Sequence, residues 1–312
     1  MPLIETHELT KRYPGVTALD ALSVAIEPGI VGLVGANGAG KSTLLKILLG
    51  LLEPTGGSAE VLGMDTRHEG TRIRAAVGYM PEHDCLPPDL TATDFVTHMG
   101  RMSGLPAAAS RERTADVLRH VGLYEERYRQ IGTYSTGMKQ RVKLAQALAH
   151  DPRVLFLDEP TNGLDPAGRE EMLELVRRTG TEFGITVIVS SHLLGEIERV
   201  CDFLVAIDAG HLLRAAPLAS FTELTNVLSV EVEEGSDELV AALVAGGFTA
   251  HVDGHLVLVA VDASGSAGAA PYDAVRDAVA EMGLGLIRIE QRRHSLEDLF
   301  RDAVELPAGT AA

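Results

Sequence analysis

Apolar residues fall in two arrangements along this chain, and the change between them marks its organisation. Up to residue 80 they come in short runs of strand length, at 3–9, 22–26, 30–34, 59–63 and 76–80, the last broken at Pro81. The run Ile30-Val31-Gly32-Leu33-Val34 carries no charge, which is the pattern of a strand buried on both faces. One helix interrupts the series, carried by Leu44, Leu45, Ile47, Leu48 and Leu49 and stopped by the turn-rich stretch 50–57. Across 91–149 strand-like runs vanish and helical spacing takes over, in Phe95/Met99/Met102, Val117/Leu118/Val121 and Val142/Ala145/Leu148. Strand-length runs return at 153–157, 185–190 and 203–207, the last completing the sheet before the turn at 208–210. Buried strands separated by helices predict an α/β fold. The helical insertion spans residues 85–150.

Beyond residue 222 the pattern changes again. Residues 226–233 alternate, 237–245 carry an apolar helical face, and 248–252 and 255–261 are short strands. After a small-residue loop at 264–269, residues 272–282 read as a helix and 286–290 as a strand. The order βαββαβ predicts a small α+β, ferredoxin-like domain over 223–306, following a first domain over 1–222. Its last helix is expected at 295–304, ahead of a disordered tail at 307–312. Two domains suit a length of 312 residues.

Composition narrows the setting. No apolar run approaches the roughly 18–20 residues of a membrane-spanning helix. The first residues, Met1-Pro2-Leu3-Ile4-Glu5, lack the basic and apolar regions of a secretory leader. Cys85 and Cys201 form no ligand-spaced pair, so reduced core thiols in a soluble cytoplasmic chain are expected. The net charge of −17 argues against direct nucleic-acid binding, which wants a basic face. The acid excess is concentrated from Phe221 onward, where no lysine occurs, and is read as a source of solubility.

The chemistry centres on Gly35-Ala36-Asn37-Gly38-Ala39-Gly40-Lys41-Ser42-Thr43, between the 30–34 strand and the following helix. Strand, glycine loop and helix in that order are the context of a P-loop. Glycines let backbone N–H groups turn inward onto phosphate oxygens, and the helix N-terminus adds positive field. Lys41 can reach the β- and γ-phosphates, and the Ser42 hydroxyl can ligate Mg²⁺. The strand at 153–157 ends in Asp158-Glu159, which brings acid to the carboxyl edge of the sheet. Asp158 suits the metal and Glu159 suits a base for attacking water. Two features stay open on the residues alone. Tyr13 either packs beside the Pro14-Gly15 turn or stacks a purine, and Ser135 with Gly137 either only starts a helix or does more. His192 lies beyond a further strand and faces the same edge. No zinc-protease helix, dinucleotide glycine motif or nucleophile elbow is present.

Taken in order, these motifs resemble the nucleotide-binding subunits of ATP-binding cassette (ABC) transporters, over roughly residues 3–220. The resemblance implies that Tyr13 stacks adenine, Gly35 to Thr43 form the Walker A loop, and Glu82 stands at the Q-loop position. It further implies that Ser135 to Met138, with Ser135 and Gly137 at their usual places, form the signature motif, Asp158 and Glu159 Walker B, Asn162 to Asp165 the D-loop, and that His192 is the switch histidine. Two such subunits would sandwich two ATP molecules with Mg²⁺, held by Ser42, Glu82 and Asp158. Hydrolysis would drive a separate transmembrane permease from the cytoplasmic face of the membrane. Two departures stand out: Glu82 replaces a glutamine, and Thr136 replaces a glycine in the signature. The C-terminal extension resembles that of drug-, lipid- and polysaccharide-exporting cassettes, and has no catalytic cluster of its own. Two other readings compete. A soluble cassette acting on ribosomes or DNA usually joins two cassettes or inserts a coiled coil, and neither is present. A regulatory module with negligible turnover rests only on Thr136 and Glu82.

Overall fold

A computed structural model describes residues 2–221, 224–260 and 271–293. The opening hairpin is longer than its apolar content predicts. β1 (Ile4–Tyr13) and β2 (Val16–Ile26) pair antiparallel, with one face buried through Ile4, Leu9, Leu19, Leu22 and Ile26. Polar residues on the open face hide such strands from a search for apolar runs, and register shifts disturb the alternation further. β3 (Ile30–Val34) is buried at every position and leads into α1 (Lys41–Leu48). β4 (Gly56–Val61) and β5 (Met64–Asp65) join the hairpin in a four-stranded sheet, β2-β1-β4-β5.

The helix α2 (Gly70–Ala76) was not expected. Only Ile73 in it is buried, so it leaves no apolar periodicity to read. It precedes β6 (Val77–Met80), and the insertion then supplies α3 (Ala92–Met102), α4 (Ala107–His120) and α5 (Thr136–Leu148). The first unit finishes with β7 (Val154–Asp158), α6 (Pro166–Phe183), β8 (Thr186–Ser191), α7 (Leu194–Val200), β9 (Phe203–Asp208) and β10 (His211–Pro217). The central sheet runs β10-β9-β3-β8-β7-β6, parallel except for β10. The strand at 203–207 therefore does not complete the sheet. β10 turns back along it as an edge strand, with no residue fully buried and hence no apolar run. β3, β7 and β8 are buried throughout, and their carboxyl ends lie at one edge.

A first compact unit ends at Leu218 and a second begins at Ala219. The second contains β11 (Leu224–Val232), α8 (Ser236–Ala245), β12 (Ala250–Asp253), β13 (Leu256–Ala260), α9 (Pro271–Met282) and β14 (Leu286–Arg293). Its sheet is antiparallel in the order β12-β13-β11-β14, the ferredoxin-like arrangement that βαββαβ predicts. Leu228, Val230, Val257 and Val259 pack with Leu239, Leu243, Val275 and Val279 in a core of its own. The loop at 264–269, the helix expected at 295–304 and the tail at 307–312 lie outside the described residues.

The two thiols differ, which corrects the expectation that both are core residues. Cys201 is buried, whereas Cys85 is exposed in the polar loop after β6. Burial, with a smaller contribution from Asp202, pushes the Cys201 thiol from about 9 up to about 12. The folded chain thus keeps a proton that the unfolded chain releases. Stability from this group is intact below about pH 9 and is lost as pH rises towards about 12. In urea titrations across that window, Cys201→Ala is expected to show a shallower fall of unfolding free energy with pH than the parent. Parallel curves would contradict the assignment.

Candidate functional site

The loop after β3 can be built only with glycine at its pivot. Gly40 sits at φ 109°, and a Cβ there would lie 2.4 Å from the Ala18 carbonyl oxygen. This turn starts α1 at Lys41, whose side chain folds back under the loop. Its Nζ donates to the carbonyls of Gly35 at 2.7 Å and Ala36 at 3.3 Å, and lies 3.5 Å from Glu159 Oε1. Lys41 is 6% exposed and Glu159 7%, so the pair is held in a poorly solvated place. Ion pairing there is stronger than at a surface.

Register brings the acids in. Asp158 at the end of β7 lies opposite Ser190 on β8, and Val34 at the end of β3 lies opposite Ser191. Asp158 Oδ1 accepts from Ser190 Oγ at 2.7 Å and from Ser42 Oγ at 3.3 Å. Tyr79 donates its hydroxyl to Asp158 Oδ2 at 3.5 Å. Burial first, then Asp158, drives the Tyr79 phenol well above its usual range, so it stays a proton donor. Glu159 has a left-handed backbone, φ 51°, and its N–H donates to Ser190 Oγ at 3.0 Å. A glutamate in that region is strained, and such strain concentrates at working sites. Its Oε2 lies 2.9 Å from His192 Nδ1.

Glu82 approaches from the loop after β6. Its Oε1 accepts from Asn162 Nδ2 at 3.2 Å, and its carbonyl accepts from Lys143 Nζ at 2.9 Å. Gln140, one turn before Lys143 on α5, donates to the Asn162 carbonyl at 2.9 Å. Desolvation lowers the affinity of Lys143 for its proton, with Cys85, Asp84, Glu82 and Asp158 opposing.

A cavity of about 520 Å³ is lined by Ala36 to Thr43, Glu82, Glu159 and His192, with Val16, Ala18 and Asn162, while Asp158 lies outside its wall and reaches it through Ser42. Tyr13 is not in its wall. It is 43% exposed at the end of β1, opposite Val16, with the Lys11 ammonium 5.3 Å from its ring centre. Ser135, Gly137 and Asp165 line a different cavity of about 580 Å³, together with Gly163, Leu164 and Arg141. There Ser135 caps α5, accepting from Met138 N–H at 3.3 Å, and Asp165 caps α6, accepting from Gly168 N–H at 3.0 Å. The two cavities share no residue.

Sequence reasoning missed Val16, Ser190, Gln140 and Lys143, and it named Asn162 only as the start of the D-loop, not as a wall of this cavity. Ser190 ends an apolar strand one residue before Ser191-His192, and that hydroxyl in a buried run was the available signal. Lys143 and Gln140 carried none, because a polar residue on a helix is ordinarily solvated. Among the described residues no three His, Cys, Asp or Glu side chains cluster as a metal cage. The Ser42 hydroxyl and the Asp158 carboxylate are hard oxygen donors. They suit a small divalent cation that completes its shell with phosphate oxygens and water.

Residues 19–162 match the family model described as ABC transporter. An uncharacterized ABC transporter ATP-binding protein of Synechocystis sp. is 34% identical over 310 residues, 96% of this chain and 83% of that protein. The daunorubicin/doxorubicin resistance ATP-binding protein DrrA of Streptomyces peucetius is 38% identical over 211 residues, 67% of this chain and 64% of that protein. Among solved structures, an ATP-binding cassette captured as a dimer after hydrolysis, bound to ADP and Pi, superposes with a TM-score of 0.63. It is 26% identical and aligns over 69% of this chain and 98% of that one.

Because Lys41 faces the cavity from beneath the loop, Lys41→Ala is expected to weaken ATP binding more than tenfold, about 1.4 kcal/mol. Titration with a fluorescent nucleotide reads this directly. Unchanged affinity in a folded variant would remove the lysine from nucleotide binding.

Proposed function

This chain belongs to the ABC transporter family as an ATP-binding, ATP-hydrolysing subunit, and on that premise we propose that it powers export through a separate transmembrane permease, working as a pair of copies around two MgATP. The observation that carries the paired site is the separation of its two cavities. Lys41, Ser42, Glu82, Glu159 and His192 serve one, and Ser135, Gly137 and Asp165 serve the other. A nucleotide in the first cavity of one copy is then closed over by the second cavity of its partner. The dimeric cassette structures support this arrangement.

Export follows from likeness to DrrA, whose name records drug resistance. Among the described residues no helix is long and apolar enough to cross a membrane, so the path for cargo belongs to the permease. The subunit is then held at the cytoplasmic face by that permease. The second unit has its own core and none of the residues assigned here to nucleotide chemistry, and is read as an interaction or regulatory domain.

The loop N–H groups and Lys41 hold the phosphates, and Tyr13, close by at the hairpin end, is available to the adenine. Mg²⁺ at Ser42 and Asp158, with Glu82 nearby, would offset phosphate charge and polarise the γ-phosphoryl group. Glu159 orients the attacking water and accepts its proton as the bond to the β-phosphate oxygen breaks, and His192 holds the Glu159 carboxylate at that angle. Catalysis of this kind is positioning and electrostatics. Thr136 approaches Gly163, with its methyl 3.4 Å from where a Cβ would stand. The side chain in place of a signature glycine thus lies against the turn that precedes Asp165.

Glu159→Gln keeps the shape and removes the base. Turnover is expected to fall about 10²–10⁴-fold while ATP binding persists, and an ATP-bound dimer should accumulate in sedimentation at saturating MgATP. Near-parental turnover would overturn the base assignment, and a strictly monomeric species would overturn the paired site. A chain ending at Leu218 should bind and hydrolyse ATP within about threefold of the full chain at equal folded concentration. Loss of hydrolysis with binding intact would make the second unit part of the catalytic machinery.

A further inference from the structure

Glu196 is a carboxylate in the first turn of α7, 8% exposed, and it does not line the nucleotide cavity. Its Oε2 accepts two hydroxyl hydrogen bonds, from Thr161 at 2.8 Å and from Ser191 at 2.9 Å. Its Oε1 is buried and has no hydrogen-bond partner among the described residues. Burying a carboxylate with half of its acceptors unused costs free energy, and an apolar side chain would fill the space more cheaply. Packing therefore gives no reason for it.

The two hydroxyls supply one. Thr161 lies two residues after Glu159 in the turn that follows β7, and Ser191 immediately precedes His192 at the end of β8. Ser191 Oγ also accepts from Leu193 N–H at 3.0 Å, which fixes the chain on the far side of His192. The carboxylate thus ties the turn that carries Glu159 to the strand end that carries His192, and these meet at 2.9 Å. The anchor itself is firm. Gly32 has no side chain, and Ile197 of α7 fills that space so closely that a Cβ at position 32 would stand 2.3 Å from its Cγ2.

We propose that Glu196 is a positioning residue for ATP hydrolysis, clamping the Glu159 turn to the His192 strand end through the Thr161 and Ser191 hydroxyls. It acts through the Glu159–His192 contact, and so rests on the roles given to those two residues above. Losing the clamp should loosen the base without disturbing the phosphate loop.

The test compares steady-state ATPase kinetics of the full-length chain with Glu196→Ala, Glu196→Gln, Thr161→Val, His192→Ala and the Glu196→Ala/His192→Ala pair. Glu196→Ala is expected to lower kcat about 10–100-fold with KM for ATP within about threefold, as for outer groups that orient a working one. Glu196→Gln should recover most of that rate. Its amide oxygen can accept both hydroxyls, and its nitrogen takes the place of the unpartnered oxygen. In the His192→Ala background, Glu196→Ala should cost no more than about twofold further, because the contact it supports is already gone. Losses that multiply independently would overturn the proposal, as would a Gln variant as slow as Ala. Should Glu196→Ala fail to fold, Thr161→Val decides: it should be about 3–10-fold slow alone and add little to His192→Ala, and independent losses again overturn the clamp. If His192→Ala and Glu159→Gln themselves keep parental turnover, the underlying roles are wrong. If those are slow and Glu196→Ala is not, the clamp alone is wrong.

Discussion

The arrangement of the first unit depends on one hydroxyl. Ser190 donates to Asp158 and accepts from the Glu159 N–H, so it fixes two successive acids at the end of β7 from the neighbouring strand. The Glu159 N–H is shared between this hydroxyl and the Ser190 carbonyl, which helps to hold its left-handed backbone. The bridge requires β7 and β8 to be parallel and in this register, since a slip of one residue would turn Ser190 to the other face of the sheet. Fully buried strands enforce the register, because each neighbouring side chain is fitted into core on both faces. Core packing and site geometry are thus the same constraint seen from two sides.

Much of this was legible in the sequence where burial leaves an apolar run. β3, β7 and β8, the glycine loop and the acids at the end of β7 are all read from hydrophobic stretches ending in polar residues. The βαββαβ order likewise yields the sheet found in the second unit. Elements with one open face were less legible. β10 has no fully buried residue, α2 has one, and the polar halves of β1 and β2 conceal their length. The residues that brace the site from a distance were the least legible. Gln140 and Lys143 look like ordinary surface residues of a helix, and only the tertiary structure turns them towards Asn162 and Glu82.

The helix α5 links the residues of the two cavities. At its N-terminus Ser135 caps it beside one cavity, and one to two turns later Gln140 and Lys143 reach loops that border the other. One continuous helix thus joins the Ser135 end to the Glu82 and Asn162 loops. Glu82 belongs to this linkage, because its side chain bonds Asn162 while its carbonyl receives the Lys143 ammonium.

Gly32 also bears on how such a sequence can change over time. A strand buried on both faces would ordinarily tolerate any residue that fits the sheet, yet here the space above the backbone is occupied by Ile197. Drift at the two positions is therefore coupled: a side chain at 32 needs a smaller one at 197, and it would also press on the Cys201 sulfur, 3.3 Å from where its Cβ would stand. Intermediates lacking that change at 197 would lift α7 away from the sheet. Related chains should accordingly exchange bulk between these two sites as a pair, leaving a correlated signature between a strand and a helix that lie far apart in sequence.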